Sequence, residues 1–60
     1  MAEQSKTFVR CKEGWVCYQP VHGGAYQVTA TGYRAEIVPA LDLRGIVQEL
    51  VAALGGKDRN

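Results

Sequence analysis

Cys11, Cys17 and His22 are the side chains of the sequence best suited to hold a metal or attack a substrate, and the chain has no other cysteine or histidine. The cysteines frame the stretch Cys-Lys-Glu-Gly-Trp-Val-Cys. A structural zinc site takes about four ligands at recognisable spacing, so a metal here would need a second subunit to complete it. A redox pair would read Cys-x-x-Cys, which is absent. A disulfide needs Cβ atoms about 3.5–4.5 Å apart, and the hairpin favoured below makes the cysteines diagonal neighbours, which sit farther apart. Two free thiols acting as small apolar residues is the simpler expectation.

His22 lies in Val-His-Gly-Gly, the composition of a solvated loop. Catalysis would need a nucleophile and an orienting acid beside it, and the one serine, Ser5, falls in the N-terminal tail. Gly23-Gly24 could wrap an anion, but no helix begins there to add its dipole. Glu13, Glu36, Asp42 and Glu49 fall on a turn, an outer strand face, a helix cap and an outer helix face, so no two of them are placed for acid–base work. The expectation is a chain that is not an enzyme and carries no metal and no cofactor.

The elements that would position these residues can be read from periodicity. Thr7 to Lys12 and Trp15 to Gln19 are rich in β-branched and aromatic residues around Lys-Glu-Gly, which marks a hairpin. A two-residue Glu13-Gly14 turn would put Val9, Cys11, Val16 and Tyr18 on one face. A three-residue loop with Gly14 in the left-handed conformation would instead gather Val9, Cys11, Trp15 and Cys17. The second register is favoured, because it gives glycine a positive φ and makes one face wholly apolar. Phe8, Arg10, Val16 and Tyr18 then point the other way.

Pro20 to Gly24 reads as a loop. Beyond it, Tyr26, Val28 and Ala30 alternate with polar residues, as do Tyr33, Ala35 and Ile37 after the Thr31-Gly32 turn, which places all six on one side of a second hairpin. Pro39 ends the last strand. Asp42 is the expected N-cap of a helix from about Asp42 to Leu54, with Leu41 and Ile46 as a hydrophobic staple. Leu43, Ile46, Val47, Leu50, Val51 and Leu54 form its apolar stripe, and Gly55 follows as the C′ residue. The fold class is α+β: a four-stranded antiparallel meander, β-β-β-β-α, with one C-terminal helix on one face.

A chain of 60 residues is one small domain (1–60), with an ordered body over about 6–55 and frayed tails at 1–5 and 56–60. A domain of this size buries only about 60% of its unfolded surface, which favours a second copy as partner, a homodimer. Seven Lys/Arg against six Asp/Glu give net +1, without the basic excess typical of phosphate binding. The apolar run Ile46 to Leu54 is interrupted by Gln48 and Glu49, too short and too polar for a membrane span. The first residues lack the pattern of a secretory signal, so a reducing cytoplasm is the expected compartment.

One helix covers one sheet face. Phe8, Arg10, Val16 and Tyr18 on the other face, with Arg34, are therefore the expected partner-binding residues, since aromatic residues with arginine are enriched at interface hot spots. The function expected is a non-catalytic protein-binding module, a small adaptor or inhibitor, acting through the open sheet face or an edge. Phage and mobile-element accessory proteins that block a host protein offer an analogy of size and class. The alternative is sheet-based nucleic-acid binding, with Arg10, Lys12 and Arg34 on phosphates and Tyr18 stacking a base.

Overall fold

The computed structural model describes residues 6–58. Strands β1 (Thr7–Cys11), β2 (Gly14–Val21), β3 (Ala25–Ala30) and β4 (Tyr33–Pro39) precede a single helix, α1 (Ala40–Ala53). All neighbours are antiparallel, and the sheet order β1-β2-β3-β4 is that of the chain. The α+β meander with one helix on one face is the architecture that the turn and periodicity signals imply.

The first hairpin departs from the favoured register. Cys11 pairs with Gly14 across a two-residue Lys12-Glu13 turn, and Val9 pairs with Val16. Gly14 is thus the first residue of β2, not the bulge of a loop. Its φ of +154° and the absence of a Cβ let Thr31 sit directly against its backbone, where the Trp15 N–H donates to Thr31 Oγ1 at 3.0 Å. Val9, Cys11, Val16 and Tyr18 consequently face α1, and Phe8, Arg10, Trp15 and Cys17 face away.

The second hairpin turns at Thr31-Gly32 with Ala30 opposite Tyr33, as its alternation implies. One step later the register slips: Val28 faces Glu36 and Tyr26 faces Val38. Arg34 and Ala35 together oppose Thr29, a β-bulge that reverses the facing of everything after it. Ala35 and Ile37 therefore lie on the outer side, contrary to the simple alternation, and Val38 is buried in their place. Burial of Val38 at the start of the helix layer replaces burial of Ile37 at the same strand end.

β2 continues through Pro20 to Val21, leaving only residues 22–24 as the connection to β3. Pro20 lies beyond the β1 pairing, where among the described residues β2 has a neighbour on one side only, the setting in which a strand tolerates proline. α1 begins earlier than Asp42. Its N-cap is Pro39, without a side-chain cap, and the Ala40 N–H donates to the Gly24 carbonyl at 3.2 Å instead. Asp42 sits in the first turn, where its charge complements the helix dipole. Leu41 is 94% exposed, so no staple forms.

The helix ends in a Schellman arrangement: Gly56 N–H donates to Val51 O at 2.9 Å and Gly55 N–H to Ala52 O at 3.1 Å, with Gly55 at φ +88°. The segment beyond it is not frayed at Gly56. Glu13 N–H donates to Leu54 O at 2.8 Å, Lys12 N–H to Gly56 O at 3.0 Å, and Asp58 N–H to Arg10 O at 2.9 Å, with Cys11 bridged to Lys57. The chain thereby covers part of the free edge of β1. The expected tail positions 1–5, 59 and 60 lie outside the described residues.

The core lies between the sheet and α1. Cys11, Val16, Val28, Ala30, Val38 and Leu54 are its buried members, and the half-buried helix stripe Leu43, Ile46, Val47, Leu50 and Val51 packs on them. No residue of α1 itself is buried, which means that the helix only partly closes the face it lies on.

Candidate protein-binding surface

The outer face of the sheet has no layer over it among the described residues. Pairing sets its rows: Arg10 beside Trp15; Phe8, Cys17 and Thr29; then Gln19, Gln27 and Ile37. Phe8 and Trp15 are diagonal across β1 and β2, and their rings stack at 5.8 Å between centroids with 29° between planes. Phe8 remains 61% exposed and Trp15 38%. Cys17, though on this open face, is buried, a small side chain among larger neighbours. Phe8, Arg10, Trp15 and Asp58 border a shallow hollow of about 400 Å³. Ile37, 62% exposed, stands at the far corner beyond the polar Gln19 and Gln27.

Of the residues expected on this face, Phe8 and Arg10 are there. Val16 is not: among the described residues it is the one fully buried large side chain, at 0% exposure. Tyr18 also faces α1, with its ring edge-on to Tyr26 at 6.1 Å. Arg34 is exposed at the β4 bulge, away from the aromatic pair. Trp15 and Ile37 are the members that the favoured registers missed. The signal for Trp15 was the two-residue turn, which sends it outward beside Arg10.

Cys11 and Cys17 are free thiols on opposite faces of the sheet, and His22 is exposed in the loop after β2. Among the described residues no three His, Cys, Asp or Glu side chains gather as a metal site. The bulge turns Glu36 off the outer strand face expected for it, and Glu36 and Glu49 both line one cleft of about 670 Å³ between β4 and α1, with Tyr33 and Arg34. Both are exposed, and among the described residues no histidine or cysteine lines that cleft.

A second depression, of about 720 Å³, flanks the other side of α1 against β1 and β2. No helix among the described residues is long and apolar enough to cross a membrane. Compared with protein-family models, curated proteins and solved structures, the chain matches none.

Proposed function

We propose that the chain is a non-catalytic protein-binding module, a small adaptor or inhibitor, that docks on a partner protein through the outer sheet face. The carrying observation is the stacked Phe8–Trp15 pair left exposed beside Arg10 on a sheet face that has no covering layer among the described residues. Aromatic residues and arginine carry a large share of interface energy because they bury much surface and lose little side-chain entropy per contact. Ile37 and Ala35 extend the contact toward β4. A homodimer through this face, in a cytoplasmic setting that keeps both thiols reduced, belongs to the same reading.

The test is capture of a partner from the source cell by the full chain, identified and then rebound in purified form. Phe8→Ala and Trp15→Ala should each weaken the purified complex by about tenfold or more, with the circular dichroism of the folded chain retained. Unchanged affinity in both variants removes the outer face from the interface. Sedimentation of the same variants reads self-association. Arg10 beside exposed aromatic rings also suits single-stranded nucleic acid; retention on a mixed oligonucleotide column at low salt, lost as salt rises, would favour that reading over the first.

A further inference from the structure

A helix with its side chains is about 10–12 Å across, narrower than four strands spaced by about 4.8 Å. α1 packs on β2, β3 and β4, so the inner face stays open toward β1. The depression left there runs beside α1 from Ala40 to Ala52 and ends at Gly56 and Lys57. Ala40 to Ala52 is twelve steps of about 1.5 Å, a trough roughly 18 Å long.

Val9, Tyr18, Leu43, Val47 and Val51 form its apolar lining, and all five are only half-buried. Arg44, near the start of the helix, and Lys57, beyond its end, are its charged residues, and among the described residues no Asp or Glu lines it. We propose that this trough is the docking site for an acidic amphipathic helix of a partner protein, which lies beside α1 and completes a two-helix layer over the sheet.

Three observations fix the occupant. The trough has the length of about three helical turns. It is open along its side, whereas a small-molecule site encloses about 70–90% of its ligand. Its apolar floor with a cation toward each end matches a helix whose leucine-like seam is flanked by carboxylates, the helix-in-groove mode of recognition. The site lies on the opposite side of the sheet from Phe8 and Trp15, so the two surfaces stand or fall separately.

The probe is a synthetic helical peptide of about 14 residues, with leucines at alternating three- and four-residue spacing and glutamates on both flanks. An otherwise identical peptide carries lysines in place of the glutamates. Titrated into the isotope-labelled full chain, the acidic peptide should shift the amide resonances of Val9, Tyr18, Val47 and Val51 and leave those of Phe8 and Trp15 in place. The lysine peptide should bind about tenfold more weakly or worse, and the exposed-site double variant R44E/K57E should reverse that preference. Equal binding of the two peptides, no binding of either, or shifts confined to the outer face overturns the proposal. So do groove shifts that follow protein concentration without peptide, which would make a second copy the occupant.

Discussion

Gly14→Ala places a methyl group where Thr31 already sits. The added Cβ would lie 2.5 Å from Thr31 Oγ1 and 2.8 Å from Thr31 Cβ, at a residue whose φ is +154°. Holding an L-residue in such a conformation costs about 1–3 kcal/mol, and forcing extra volume into an occupied site about 1–3 kcal/mol. Moving Thr31 aside breaks its hydrogen bond from the Trp15 N–H, a further loss of about 0.5–1.5 kcal/mol. One relaxation relieves several of these at once, so the expected net cost is about 3 kcal/mol. A domain this small rarely holds more than about 3–5 kcal/mol in total. At about 4–8 °C per kcal/mol, Tm should fall by about 12–24 °C in a thermal melt followed by circular dichroism. The double variant Gly14→Ala/Thr31→Gly removes the obstructing atoms, and its loss should be smaller than the sum of the single losses by about 1–2 kcal/mol. A Gly14→Ala melt within about 3 °C of the parent, or strictly additive losses in the cycle, would refute the close packing of Gly14 against Thr31.

Gly45 lies in the helix with open space where a Cβ would be, so Gly45→Ala should stabilise by about 0.5–1 kcal/mol, seen as a higher urea midpoint at unchanged slope. Val16→Ala, at 0% exposure, should cost about 2–3 kcal/mol, whereas Phe8→Ala on the open face should cost under about 1 kcal/mol in the same assay. Because Cys11 and Cys17 occupy opposite faces, mild oxidation of dilute protein should leave both thiols titratable after denaturation, and slow alkylation of the native chain should accelerate in urea. Gly55→Ala meets Lys12 Cβ at 3.2 Å with φ at +88°, and should lower stability by about 1 kcal/mol or more while raising amide exchange at Lys12 and Glu13.

The order of elements was legible because each depends on local chemistry: alternation in the strands, Thr31-Gly32 at the second turn, and a helical stripe closed by Gly55. What local pattern hides is a contact made by a distant residue. Gly14 resembles turn glycine, yet its place is determined by Thr31 on the neighbouring hairpin, and that one misplacement exchanged Trp15 for Val16 on the outer face. The β4 bulge was hidden for a related reason. Ile37 and Val38 are adjacent and both apolar, so either can be buried, and the choice is made by packing under α1. Asp42 has the type of a cap, but the carbonyl of Gly24 from another loop met the helix first. Phe8 and Arg10 were found because either register of β1 leaves them opposite Val9 and Cys11.

The return of the chain onto β1 has a consequence for the order in which the molecule acquires its structure. The three hairpins close between near neighbours, on the microsecond scale of such events. The hydrogen bond from Lys12 to Gly56 joins positions separated by 44 steps along the chain, and the entropy of closing so long a loop must be met before the bond forms. During synthesis at about 5–20 residues per second, β1 emerges roughly 2–9 s before the segment that covers part of its edge. For that interval β1 presents an open edge as a template, and the segment from Leu54 to Asp58 then covers the part of it around Arg10 and Cys11.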